Sequence, residues 1–188
     1  MPVTVLDSNT ALVVIDLQKG IAGLPTVHSF DGVVERASQL AGAFRQRNLQ
    51  VVLVNVAGGA PGRVEQKRNL GDVPRDWAEL LPQLNLQPQD HVVTKRTWGA
   101  FTNTDLEVYL RDRDITQLVL AGVATSIGVE STARAAYEFG FNVTLAIDAM
   151  TDRSAEAHEN SVTRIFPRLG ETGTSQEIIA RLDERGWR

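Results

Sequence analysis

The chain has 188 residues, 43% of them hydrophobic and 22% charged, a formal net charge of −4 and no cysteine. This length suits one domain over residues 1–188 with a sizeable core, and the lack of thiols excludes disulfides, cysteine–zinc sites, iron–sulfur clusters and every thiolate nucleophile. Mild acidity argues against a nucleic-acid partner, no apolar run approaches the ~18 residues of a membrane span, and the opening Met-Pro-Val-Thr-Val-Leu-Asp carries no secretory pattern, so a soluble, cytoplasmic protein without a membrane partner is expected.

The first short apolar run goes from Ala11 to an acid, Asp16. Residues 31–48 follow, where Val33, Val34, Ala37, Leu40, Ala41 and Phe44 recur at spacings of three and four and predict a helix. Val51 to Val56 is the second apolar run. An irregular stretch then runs from Ala57 to about Pro74 and holds Gly58, Gly59, Pro61, Gly62 and Gly71. A loop that long in a compact domain is usually a lid, an interface or a mobile flap. His91 to Thr94 is a weaker third run, and Leu118 to Gly122 and Val143 to Asp148 are the fourth and fifth. Helical spacing returns over 104–113, 127–140, 154–166 and 174–185, with Asp31, Ser154 and Thr174 as expected helix caps. Short apolar runs rich in Val and Ile suit strands buried on both faces. Their alternation with helices predicts an α/β fold, a parallel sheet covered by helices on both sides.

In open parallel sheets, ligands bind beyond the carboxyl ends of the strands. That rule selects Asp16, Asn55, Val56, Lys95, the turn from Gly122 to Gly128, and Asp148. A carboxylate after an apolar run is costly to bury alone, so Asp16 and Lys95 are expected to share one pocket and offset each other's desolvation. In Gly122-Val-Ala-Thr-Ser-Ile-Gly-Val-Glu-Ser-Thr132 a strand turns into a helix through small residues. A helix start of this kind suits a carboxylate or a developing oxyanion. Phosphate-binding glycine motifs are absent, so a nucleotide has little support. His28, His91 and His158 lie far apart with no ligand spacing, so neither a metal nor another cofactor is expected.

The segments Val14-Ile-Asp-Leu-Gln18, Thr94-Lys-Arg-Thr-Trp-Gly-Ala-Phe101, Gly122 to Ala133 and Ala146-Ile-Asp-Ala-Met-Thr-Asp152 together resemble the isochorismatase-like hydrolase superfamily. That superfamily includes nicotinamidases, N-carbamoylsarcosine amidohydrolases and isochorismatases. Order and spacing agree over roughly residues 10–180. The resemblance implies a Rossmann-like, three-layer α/β/α fold with a six-stranded parallel sheet. It also implies a non-proline cis peptide at Val123–Ala124, an oxyanion site made by the Ala124 and Gly128 N–H groups, and a homo-oligomer, a dimer or larger.

Most of the superfamily uses an Asp–Lys–Cys triad. By resemblance Asp16 is the acid, Lys95 the lysine, and the cysteine position falls on Gly128. Ser126, Thr125 and Ser131 are nearby hydroxyls, but none occupies that position and the segment supplies no general base. Isochorismatases also carry glycine there and cleave a vinyl ether with water. This chain departs from them in reading Asn55-Val-Ala-Gly58 where they have Tyr-Thr-Ala-Gln, and Ala124 where they have tyrosine. The catalytic set is therefore Asp16, Lys95 and Gly128. Ala124, Thr125, Trp98, Phe101 and Leu24 are expected to bind a small-molecule substrate, with Arg63, Arg68, Arg75 or Arg96 available for its carboxylate. The expected function is hydrolysis of a small carboxylated molecule with Asp16 as general acid. Burial would favour that role and a charged Lys95 would oppose it. The alternative is a binding or regulatory module on the same scaffold, without catalysis.

Overall fold

A computed structural model describes residues 3–66 and 74–184. Among them, six strands form one all-parallel sheet in the order β3-β2-β1-β4-β5-β6. The strands are β1 (Thr10–Ile15), β2 (Gln50–Val56), β3 (His91–Lys95), β4 (Gln117–Val123), β5 (Asn142–Thr151) and β6 (Glu171–Gly173). Helices α1 (Lys19–Ala22), α2 (Phe30–Gln46), α3 (Leu106–Arg111), α4 (Glu130–Glu138), α5 (Ala155–Asn160) and α6 (Ser175–Glu184) connect or follow them.

Alternation along β1 divides the core in two. Leu12 and Val14 pack with Val33, Leu40 and Phe44 of α2 and Ile178 and Leu182 of α6. Ala11, Val13 and Ile15 face the other way, toward Leu106 and Leu110 of α3 and Ala133 and Ala136 of α4. β1 is buried along its whole length, as its apolar run requires. The result is the expected three-layer α/β/α arrangement. Strand order reverses between β1 and β4, which makes their carboxyl ends the topological switch point where such sheets bind ligands.

Two local features differ from the sequence-based expectations. Ser29, not Asp31, caps α2: its Oγ accepts from the Gly32 N–H at 3.2 Å, because the helix already begins at Phe30. Ser154 and Thr174 cap as expected, with bonds from Ala157 N–H and Glu177 N–H. Asp148 does not end its strand. β5 carries extra residues against β4, since the pairing passes from Leu120↔Leu145 to Gly122↔Met150, and the strand continues to Thr151. Asp148 instead accepts from the Ser175 N–H and Oγ–H at 2.6 and 2.8 Å and pins the start of α6. Where β4 departs from regular pairing, Gly122 has φ +118°, and a Cβ there would meet the Ile15 carbonyl oxygen at 2.0 Å. Only glycine permits both the conformation and the approach.

Candidate active site

Asp16 is the first residue beyond β1. Its N–H still donates to the Val54 carbonyl at 2.9 Å, but its φ of +53° turns the chain out of the sheet. Aspartate tolerates this left-handed conformation better than most residues. Lys95 ends β3, two strands away. Its long side chain crosses the end of β2 and donates to Asp16 Oδ2 at 2.7 Å and to the Thr97 carbonyl at 3.2 Å. The two side chains are only 2% and 7% exposed, so each charge has the other as its compensation.

Gly128 faces the same carboxylate. A Cβ built there lies 3.3 Å from Asp16 Oδ2, 3.0 Å from Ile15 Cγ2 and 3.2 Å from the Val123 carbonyl oxygen. Asp16, Lys95 and Gly128, far apart in sequence, therefore converge at the switch point. The Val123–Ala124 peptide is cis, as the resemblance implied. After it comes a wide helical turn, Thr125–Val129, in which the Ala124 carbonyl accepts from the N–H groups of Ile127 at 3.1 Å and Val129 at 3.2 Å.

Side chains from other elements hold this turn. Asp152, buried just past β5, accepts from the Ser126 N–H at 2.7 Å and its hydroxyl at 2.8 Å. Thr125, fully buried, has its Oγ1 2.9 Å from Nδ1 of His158 on α5. The segment itself supplies no base, but an imidazole from α5 stands beside one of its hydroxyls. Thr132 donates to the Gly128 carbonyl at 2.7 Å and accepts from the Ala100 N–H at 3.0 Å, so it ties the turn to the segment after Lys95. Thr132 and Asp152 carried no assigned role in the sequence. Their only signal was membership of the matching segments.

Gln18 is a fourth brace that carried no role. Its side chain donates to the carbonyls of Val56 and Trp77, both at 3.0 Å, and accepts from the Val56 N–H at 2.7 Å. Asn55 donates to the Ala78 carbonyl at 2.7 Å. These bonds fasten the segment around Trp77 across the carboxyl ends of β1 and β2. Of the expected long loop, Gly71 lies outside the described residues, as does Arg68; Arg63 and Arg75 are exposed, and Arg96 donates to the Ala57 carbonyl at 3.2 Å.

The aromatic expectations divide. Trp98 is 61% exposed and Leu24 41% exposed, both outside the core. Phe101 is a core residue: its ring centroid lies 5.2 Å from that of Phe139 and 6.1 Å from that of Phe141, between the sheet and its covering helices. It is not placed as a pocket wall.

The histidines also differ from expectation. His28 and His158 are neighbours, with ring centroids 4.6 Å apart and nearly edge-on. The Thr151 hydroxyl accepts from the His28 N–H at 3.1 Å and lies 3.2 Å from its Nδ1. Burial, then the adjacent His28, hold the pKa of His158 below the ordinary histidine value, against the opposing pull of Asp152 and Glu159. His91 stacks on Tyr109 at 3.8 Å, away from this pair. Among the described residues, no three histidines or carboxylates are grouped to hold a metal ion, and no helix is long and apolar enough to cross a membrane.

Residues 10–177 match the family model of the isochorismatase domain. The chain is 43% identical over 180 residues to YwoC, an isochorismatase family protein of Bacillus subtilis (strain 168), covering 92% of this chain and 94% of that protein. It is 30% identical over 178 residues to the ureidoacrylate amidohydrolase RutB of Rhizobium rhizogenes, covering 79% and 72%. Among solved structures, an isochorismatase family protein from Burkholderia thailandensis superposes with a TM-score of 0.91 at 44% identity, covering 95% of this chain and 98% of that one.

Proposed function

Because the chain belongs to the isochorismatase family, we propose that it is a hydrolase of a small carboxylated molecule that works without a cysteine nucleophile, by water attack on a vinyl ether. The observation that carries this reading is the convergence of Gly128 on the Asp16–Lys95 pair. Where a nucleophile's side chain would stand there is a glycine, its Cβ position closely flanked by Ile15, the Val123 carbonyl and Asp16. The chemistry left to the site is proton transfer.

In the proposed reaction, protonated Asp16 delivers its proton to the terminal vinyl carbon. The carbon that bears the ether oxygen becomes an oxocarbenium centre, and water adds there while giving up one proton, which restores the acid form of Asp16. The resulting hemiketal collapses to a ketone and an alcohol, which for an enolpyruvyl ether means release of pyruvate. Lys95 orients Asp16 and meets the substrate carboxylate as a point charge. Glycine at 128 keeps a side chain from standing between the substrate and the Asp16 carboxylate. Ala124 and Gly128 line the site from the turn, Trp98 and Leu24 shield it from the solvent side, and Thr125 acts through the turn it belongs to. A homo-oligomer is part of this reading.

The test is a panel of isochorismate-like vinyl ethers and small amides. Pyruvate release that disappears in Asp16→Asn supports the proposal; ammonia release from amides by the unmodified chain counts against it. A second reading, ligand binding without turnover, draws on the 2.7 Å Lys95–Asp16 contact, because an adjacent ammonium opposes protonation of the carboxylate. Saturable binding without turnover, weakened by Lys95→Ala, would favour that reading.

A further inference from the structure

Two struts hold consecutive residues of the turn after the cis peptide, and they differ in kind. Asp152 accepts two bonds from Ser126 and two more from the N–H groups of Arg153 and Ser154, at 2.7 and 3.2 Å, so it anchors the turn to the end of β5. His158 holds Thr125 by one contact to an imidazole nitrogen. Thr125 has no exposed surface to offer a ligand, yet it is the residue next to Ala124. Whatever its hydroxyl does for the site passes through the backbone of the turn. We propose that His158 is a positioning residue: in its neutral form it holds Thr125, and with it the Ala124–Gly128 turn, in the working conformation, and its protonation loosens that hold. This deepens the hydrolase reading and rests on that reading's placement of the turn in the site.

The surroundings are built for such a response. Neutral imidazole can accept the Thr125 hydroxyl proton at Nδ1. Protonated imidazole can only donate there, so the buried Thr125 hydroxyl loses this acceptor for its own proton and the neutral arrangement is broken. Three titratable groups face His158. His28 comes from the segment before α2, Asp152 from the residue after β5, and Glu159 from its own helix. The turn adds only the uncharged Thr125 and Ser126. The His28 ring is kept beside His158 by the Thr151 hydroxyl, so a positive charge on His158 would arise against a neighbour held in place. Burial is the larger influence on His158, and with His28 it outweighs the two carboxylates.

The experiment follows 1H–15N spectra of the full chain between about pH 8 and pH 5, across the ordinary histidine range. The amides of residues 125–128 are expected to shift with the same midpoint as the His158 imidazole. In His158→Asn, which offers an amide atom near the Nδ1 position but cannot titrate, that shared midpoint disappears. In His28→Gln, which removes the facing ring, imidazole and amide midpoints move up together. With isochorismate as the probe, kcat for pyruvate release falls on the acid side at that midpoint while KM stays nearly constant. His158→Ala lowers kcat by about tenfold across the range, and His158→Asn recovers most of that loss without the acid limb. Turn amides that ignore the imidazole titration, or an acid limb unchanged in His158→Asn, overturn the proposal. The spectra need no substrate, so a chain that releases no pyruvate while its turn follows His158 refutes the hydrolase reading and supports this one.

Discussion

Lys95 Nζ stands 2.7 Å from Asp16 Oδ2, although β2 separates β3, which Lys95 ends, from β1, which Asp16 follows. The pair is almost completely shielded from water. Breaking a buried pair by removing one partner leaves an uncompensated charge, at a cost of about 3–5 kcal/mol. Asp16→Ala and Lys95→Ala are each expected to lose stability on that scale in urea unfolding. The Asp16→Asn, Lys95→Met double variant is expected to lose less than the sum of the corresponding single changes. Strict additivity would show that the two side chains do not compensate each other.

Gly128 is not held by backbone conformation, since its φ lies outside the left-handed region, and a Cβ there meets neighbours at 3.0–3.3 Å. Gly128→Cys is therefore expected to fold, with an overpacking cost of about 1–3 kcal/mol. It places a thiol beside the Asp16–Lys95 pair and the turn. The expected gain is slow ammonia release from small amides, absent in the parent chain. A folded but inert variant would remove support for an oxyanion site in the turn.

Gln18 satisfies three backbone groups at once, the N–H and carbonyl of Val56 and the carbonyl of Trp77. Gln18→Leu keeps the volume roughly and removes every one of these bonds. Leaving buried groups unpaired costs about 1–3 kcal/mol each. Thermal unfolding should show the loss, and limited proteolysis should cut faster in the segment around Trp77, which Gln18 fastens.

His158 makes stability depend on pH. Its pKa is lowered in the folded protein from an ordinary value of 6.5. Between the folded and unfolded values the unfolded chain binds more protons, so stability rises with pH. The contribution is complete above 6.5 and declines as pH falls below it toward the folded-state value. Melting temperatures recorded above and below that point are expected to drop less in His158→Asn than in the parent. Equal drops would show that the imidazole is not shielded.

Much of this was legible in the chain itself. The five apolar runs became strands: those at β1, β2, β4 and β5 are largely buried on both faces, which leaves a residue-level trace, whereas the weaker run at β3 alternates between buried and exposed residues at the sheet edge. Asp16 and Lys95 were found by one rule, that function gathers where parallel strands end. The sixth strand leaves no such trace: Glu171–Gly173 is three residues long and largely polar, and only the family resemblance implied it. The longer reach of β5 was hidden because its extra residues look like any other apolar stretch, and so Asp148 was given the wrong place. The His28–His158 contact joins residues 130 positions apart and has no local signature. Phe101 was ambiguous for a different reason. A phenylalanine after a functional lysine suits a pocket or a core equally, and only its neighbours Phe139 and Phe141 decide.

The position of Lys95 on β3, the outermost strand on its side among the described residues, bears on how the chain matures. A chain that has assembled β1, β2 and β4 but not yet docked β3 holds Asp16 at the switch point with no ammonium beside it. Such an intermediate carries the burden of a lone enclosed charge or leaves that corner open to water. Docking of β3 removes the burden and completes the charged pair in a single event. A slip of one residue in that docking would send Lys95 to the opposite face of the sheet. The site thus depends on the registry of the sheet edge, since only a correctly registered β3 yields a closed, neutralised pocket.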